Sequence, residues 1–461
     1  MSGLKKMLHN TVVLTASGIV MRCVGLAYQV WLAGRIGPSG IGLFQLIAAV
    51  NSLCATFAIS GVRFTATRLC SEELGLGRPG GAAKAVECCA LYAAVFGAAA
   101  FGIMFFGAEK IGFLWIGDAR TVLSLRTLSL SMPMLSIASV FSGYFIASGK
   151  ILQTALIQLL EQLINIGCAM FFLGNAASGD LEACCAAIAR SNLIADGCSL
   201  AMAFFVYLAI RPKAEHVSVN TVPRMLKIAL PLAFSAYARV SLTSLENLLI
   251  PRKLKLSGLS AEASLAGYGT ITGMVFPVIT FPSCILSAAA ELSISELTAS
   301  QVQGDMTRVR STVAALLKTT LAFSLATAAF MFFFSEELGV AVYKSLEAGR
   351  YIRLFALLVP IMYMDIVTDG CLKGLGQMLN SMSYNVCEAA LGVLFVIILV
   401  PRYALGGYIF VLFFCECFNF CLSMRRLWVV CRVKKDKRRT GGVAPCGKRA
   451  AIKPQAHSRA G

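Results

Sequence analysis

The sequence predicts an all-α polytopic membrane protein of about twelve helices, arranged as two six-helix lobes related by an internal repeat. Three observations predict it. First, the 461 residues are 57% hydrophobic and only 14% charged, where a soluble domain has about 25% charged residues; mean hydropathy is +0.75. Second, apolar windows recur from Thr11 to Val430, each long enough for a hydrocarbon core that needs about 20 residues. These windows do not alternate polar with apolar, which excludes a barrel of short strands. Third, glycines, prolines and glutamates recur along one fixed offset.

In order, the spans fall at roughly 11–33, 42–67, 85–107, 122–147, 151–173, 183–209, 226–250, 265–297, 312–334, 351–372, 378–400 and 405–430. The first carries Lys5 and Lys6 before its apolar run, as a signal peptide would. No small-residue cleavage site follows and Arg22 interrupts the run, so it is read as an uncleaved span. The eighth is long and holds Pro277 and Pro282, so a kink is expected there. The expected units are a first lobe at 1–210, a linker at 211–224, a second lobe at 225–430 and a basic, disordered tail at 431–461.

Basic residues set the expected orientation. Arg68, Arg78, Lys84, Arg211, Lys213, Arg224, Lys227, Arg308 and Arg310 share one side with a tail rich in Lys and Arg, so both termini are expected in the cytoplasm. Arg252, Lys253 and Lys255 stand on the other side against the trend. The net charge of +18 is then a matter of anionic lipid head groups beside the last span rather than of nucleic acid.

The repeat has an offset of 227 residues. Gly143 meets Gly370, Gly149 meets Gly376, Pro133 meets Pro360, Glu161 meets Glu388, and Gly40 and Gly42 meet Gly267 and Gly269. Six spans return the chain to the same side, so this is a parallel repeat, an architecture that places a site between the halves. It also disposes of "GYFIASGK" (143–150) as a phosphate loop. Its spacing is one residue too long and Ile151 stands where Ser or Thr is needed. The stretch is read instead as a turn between spans four and five. The eight glycines at 40, 42, 143, 149, 267, 269, 370 and 376 are expected to act as hinges or turns.

Charge in mid-bilayer costs about 2.5–3.5 kcal/mol on insertion scales and calls for a reason. Span five aligns Gln158, Glu161, Gln162 and Asn165 on one helical face; span seven does so with Ser235, Arg239, Thr243 and Glu246. Span one adds Arg22 and Gln29, span ten Asp365 and Asp369, span eleven Ser381, Asn385 and Glu388, and span six Arg190 and Asp196. These stripes either line a wet cavity or pair across helices to hold the bundle together. Arg22 and Arg239 are the sharpest candidates for phosphate oxygens, which suit a guanidinium. The seventeen cysteines lack zinc spacing and no histidine accompanies them, so no metal site and no catalytic constellation is expected.

Several stretches carry a resemblance: "GPSGIGLFQL", "SGVRFTATRLCSEELG", "QLLEQL", "PRKLKLSGLSAEASLAGYG", "LSISEL" and "CLKGLGQ". Through them the chain resembles the multidrug/oligosaccharidyl-lipid/polysaccharide exporter superfamily, most closely the stage V sporulation protein B-like polysaccharide flippases. It departs from that pattern at Val62 and Arg63, at Asn165, and at Ser293 before Ile294. The resemblance implies a MATE-like fold and alternating access. It also implies a cargo of polyprenyl-diphosphate-linked oligosaccharide or peptidoglycan precursor, moved across a cytoplasmic membrane without enzymatic chemistry. Arg22 and Arg239 would take the diphosphate, with Glu161, Glu246 and Glu388 balancing them or binding a coupling sodium or proton. Cell-envelope synthesis proteins are further partners it implies. The rivals are a cation-coupled exporter of drugs or metabolites and a non-transporting scaffold for envelope assembly.

Overall fold

A computed structural model describes residues 2–174, 180–211 and 221–433, apart from the side chains of residues 2–17 and of scattered later positions that include Ser235 and Glu296. Among the described residues there are helices and no strands. Eight helices are long and apolar enough to cross a membrane, and two bent pairs bring the number to ten. Two of the eight are themselves broken. Ser2–Ile59 is kinked at Gly37 (φ 69°, ψ 176°) before Pro38, and Met378–Val433 at Ala404 (φ 50°, ψ −132°). A straight 58-residue helix would be about 87 Å long, so each break makes two crossings of one rod. Twelve arms result.

We label them α1 (2–36), α2 (38–75, interrupted at Ser60 and Gly61), α3 (79–116), α4 (Ala119–Ser129 with Met132–Ala147), α5 (Ile151–Gly174) and α6 (Leu181–Ile210). The second half holds α7 (Thr221–Leu256), α8 (261–302), α9 (Met306–Phe333), α10 (Leu346–Ala356 with Val359–Gly374), α11 (378–403) and α12 (405–433). The expected kink in α8 is present: a π-helical stretch Gly269–Val275 precedes Pro277, and the helix breaks at Phe281 and Pro282.

The repeat is written into the backbone. At the α4 end, Gly149 N–H donates to Ile146 O and Lys150 N–H to Phe145 O; at the α10 end, Gly376 donates to Lys373 O and Gln377 to Leu372 O. The two sets are the same helix-ending motif shifted by 227, with φ 71° and 70° at its glycines. Gly77 with Arg78 and Gly304 with Asp305 repeat it again at the ends of α2 and α8. At the opposite end of the bundle, Asp118 N–H returns to Gly112 O as Ser345 N–H returns to Gly339 O. Residue 117 is a left-handed glycine and its counterpart Lys344 is left-handed too (φ 54°).

Only some of the eight singled-out glycines are turns. Gly149 and Gly376 are. Gly143 and Gly370 lie inside helices, where they let α4 approach Arg63 and Ala66, and α10 approach Ala290, which is Arg63's own repeat position. Gly40, Gly42, Gly267 and Gly269 are also helical rather than turns. A side chain at Gly42 would strike the Leu265 carbonyl, and one at Gly269 would strike the Pro38 carbonyl and the backbone of Gly42. Leu265 is the repeat position of Pro38, so the contact is reciprocal. The two halves meet there backbone to backbone.

The boundaries between units differ from expectation at two points. α7 begins at Thr221, so the last residues of the expected linker are helical and 212–220 lie outside the described residues. α12 runs to Val433, so the expected tail loses its first residues to helix, and 434–461 lie outside the described residues. α7 also ties the halves together. Its beginning packs on the first half, where Met225 and Ala229 join a core with Val62, Leu69 and Ala203. Its later residues Leu248, Ile250 and Leu254 join a core that both halves share, with Ile41 and Val50 from the first and Val396 and Tyr408 from the second.

Candidate functional site

Two polar cavities open in the bundle, one in each half, besides a mostly apolar one of about 310 Å³ between α2, α3 and α7. The first, about 670 Å³, is bounded by α1, α2, α4, α5 and α6. From α5 it takes the whole predicted stripe, Gln158, Glu161, Gln162 and Asn165; α1 contributes Arg22. Two turns of one helix face deliver the α5 residues together. Gln162 donates to the Met21 carbonyl (3.0 Å), and Ser199 of α6 donates to Glu161 Oε2 (2.6 Å), so the stripe is fixed to both neighbours. Close approach of α1 to α5 at this level depends on Gly25, whose added Cβ would lie 3.2 Å from Gln162 Nε2.

Arg63, Asn51, Asn192 and Asp196 complete the polar lining. Among these, Asn51 Oδ1 is buried without a hydrogen-bond partner, as are Gln162 Oε1 and Asn165 Oδ1. The cavity therefore combines two guanidinium groups, two carboxyl groups and free amide acceptors. Such a lining can bind an anionic group and hydroxyl-bearing groups beside it.

The second cavity is smaller, about 180 Å³, and lies between α7, α8, α10, α11 and α12. It gathers Glu246, Glu388 and Glu416 with Asn247, Thr272 and Tyr408, and among the described residues no basic side chain lines it. Thr272 and Tyr408 share a hydroxyl hydrogen bond (2.8 Å). Glu246 occupies space that exists because residue 392 is glycine: a Cβ there would stand 2.7 Å from Glu246 Oε1.

Glu161 and Glu388, paired by the repeat, thus line one cavity each. Other predicted residues do not line either. Asp365 accepts from Asn419 (3.3 Å), which also donates to Asn385 (3.0 Å). Asp369 pairs with Lys373 (2.6 Å) one turn on and accepts from Ser381. These residues occupy the repeat positions of the first cavity's lining: Asn385 answers Gln158, Asn419 answers Asn192, and Asp365 and Asp369 answer Ala138 and Ser142. In the second half those positions are knitted to one another instead of facing a large opening. Gln29 is likewise a tie, donating to the Gly273 carbonyl of α8 (2.9 Å).

Arg239 is exposed and lines neither cavity. It sits two helical turns from Glu246 on the same face of α7, while Arg22 belongs to the first-half cavity. The structure does not bring these two arginines into one lining. Asn51, Asn192 and Glu416 were not singled out from the sequence, and Arg63 stood out only as a departure from the family pattern. Asn51 and Arg63 stand twelve residues apart in α2, too far to read as a stripe, and Asn192 and Glu416 are near Asp196 and Asn419 in helices where no such stripe was read.

Sequence comparison settles the family. The model described as "Polysaccharide biosynthesis protein" matches residues 7–268, more than half of the chain. The chain belongs to the polysaccharide biosynthesis protein family. A second model, MatE, matches residues 254–398 of this family member. The family member is similar to stage V sporulation protein B of Bacillus subtilis (strain 168), at 23% identity over 87% of this chain and 79% of that protein. It is also similar to sporulation protein YkvU of the same organism, at 18% identity over 83% and 86%.

Among solved structures, it is similar to an inward-facing MATE family transporter of the MOP superfamily, with a TM-score of 0.72, 14% identity, and 92% and 99% of the two chains covered. For an outward-facing MATE family transporter of that superfamily the TM-score is 0.58 at 16% identity, with 93% and 96% covered. The fold of this polysaccharide biosynthesis protein family member is therefore the MATE-like one.

Proposed function

We propose that the protein is a flippase. Its cargo would be a polyprenyl-diphosphate-linked oligosaccharide or peptidoglycan precursor, moved from the inner to the outer leaflet of the cytoplasmic membrane by alternating access. The observation that carries this reading is the first-half cavity, which offers Arg22 and Arg63 beside amide oxygens that lack protein partners. Guanidinium matches diphosphate oxygens; free acceptors match sugar hydroxyls. The family description and the sporulation relatives favour an envelope polysaccharide as the sugar class.

With both termini in the cytoplasm, the turns at Gly149 and Gly376 face inward and the Gly42–Gly269 crossing lies toward the outer leaflet. The reciprocal closure there agrees with an inward-facing state. An inside-negative potential then drives an anionic head outward by about 2.3 kcal/mol per charge per 100 mV. The polyprenyl tail stays in lipid, and the protein performs no bond chemistry.

A second reading rests on the second cavity, where three glutamates meet without a cation. That lining suits a coupling sodium or proton, or an organic cation as cargo. The test separates the two. Proteoliposomes carry a fluorescent polyprenyl-diphosphate sugar in both leaflets, and the outer leaflet is quenched with and without an imposed potential. Potential-driven movement that is lost in Arg22→Ala and Arg63→Ala, yet kept in Arg239→Ala, is expected. Loss in Arg239→Ala alone would move the diphosphate site to α7. Transport of an organic cation with no movement of the lipid-linked sugar would discard the flippase.

A further inference from the structure

Where α12 finishes, next to the start of α9, four residues enclose a surface cavity of about 530 Å³: Arg310, Trp428, Cys431 and Arg432. It is separate from both transport cavities. Arg310 donates its Nε–H to the Cys431 carbonyl (2.8 Å), which spends one donor on the helix end and leaves its terminal nitrogens without a partner among the described residues. The Arg432 guanidinium lies over the Trp428 ring, 3.3 Å from its centroid. Arg425 shares the helical face of Trp428 and Arg432 and is exposed. Among the described residues no carboxylate lines the cavity.

We propose that this cavity binds the phosphate of an anionic phospholipid, clamped by Arg310 and Arg432 with Trp428 at the level of the head groups. Three arguments converge. Two guanidinium groups held in place by a carbonyl and by an aromatic face have lost freedom before any ligand arrives, so binding orders less. Trp is at home at the membrane–water interface, where its ring is half apolar and half wet. The α12 terminus presents unsatisfied carbonyls that would repel an anion, and the Arg310 hydrogen bond to Cys431 covers one of them. The clamp joins α9 to α12, so a bound lipid would fasten those helices to one leaflet while the halves move.

Native mass spectrometry of the full-length protein in detergent tests this. Wild type, Arg310→Ala/Arg432→Ala and Arg310→Lys/Arg432→Lys are titrated with phosphatidylglycerol and with phosphatidylcholine. Each basic residue is worth roughly fivefold near an anionic surface, so the double alanine variant is expected to lose about 30-fold in preference for phosphatidylglycerol. The lysine variant keeps the charge but not the planar fork, and should recover part of it. Equal retention of phosphatidylglycerol by wild type and the alanine variant would overturn the site, as would a wild type that prefers neither lipid. Inorganic phosphate is titrated in parallel. If it binds these arginines as tightly as the lipid does, the ligand is soluble phosphate and the lipid assignment is wrong. Thermal melts of the lysine variant show whether any loss reflects folding instead.

Discussion

Gly42→Ala is the sharpest perturbation of the reciprocal crossing. The added carbon would lie 2.9 Å from the Leu265 carbonyl carbon and 3.3 Å from its Cα, where carbon pairs rest at about 3.5–4.0 Å. Neither partner is a side chain that could swing aside. The crossing must therefore widen by something under 1 Å, a gap that forfeits about a quarter to a half of each dispersion contact it opens. Gly269→Ala does the same from the other side, with its carbon 2.9 Å from Gly42 Cα. Overpacking of this kind costs about 1–3 kcal/mol, or roughly 5- to 150-fold in the ratio of closed to open forms at this end.

Hydrogen exchange followed by mass spectrometry reads that ratio directly. Peptides covering 38–50 and 265–275 should exchange faster by the same factor in both variants. Gly102→Ala is the control, because nothing lies within 4 Å of its added carbon. Exchange in Gly42→Ala and Gly269→Ala that matches wild type would refute the claim that this crossing holds the halves together.

Other expectations follow from single contacts. Gly149→Ala and Gly376→Ala meet no neighbour but force φ near +70°, so each should lose about 1–2 kcal/mol, and by nearly equal amounts, measured as melting shifts. Gly392→Ala should displace Glu246 and slow transport while leaving binding of lipid-linked sugar by the first half within a factor of two; unchanged transport would remove Glu246 from the mechanism. At Asp118, between α3 and α4, burial pushes the carboxyl up, but the hydrogen bonds and charge of Arg120 outweigh this and hold it below its ordinary value. The folded form thus binds the proton less readily than the unfolded chain, and the resulting stability is present above pH ~4 and lost as pH falls through the lowered value. Asp118→Asn keeps the cap on Arg120 N–H and drops the charge. It should melt below wild type at pH 7 and converge with it only as pH falls through the lowered value.

The span count, the repeat and the break in α8 were legible because bilayer thickness, six-span parity and proline geometry act on local sequence. The α5 stripe was legible for the same reason: one helix face is a local property. What a stripe faces is not. Gln158 and Asn385 hold the same repeat position, yet one lines an opening and the other is bonded to Asn419. Arg239 looked like Arg22's partner because both are guanidinium groups at similar depth, and nothing in either helix says which half its face will meet. Arg63 and Asn165 sit where the chain departs from the flippase pattern, and both line the first cavity. For Asn165 the periodic stripe had already pointed there; for Arg63 only the departure from pattern did.

The matched turns at Gly77 and Gly304, and at Gly149 and Gly376, have a consequence for how such a molecule can change. Each sits on backbone hydrogen bonds that make no reference to cavity side chains. Scaffold and contents are thus specified by different residues, and either half can exchange its interior without disturbing the brackets that hold it. A chain built from two copies of the first half would be expected to close the same frame around two roomy, arginine-bearing chambers, trading a division of labour for symmetry.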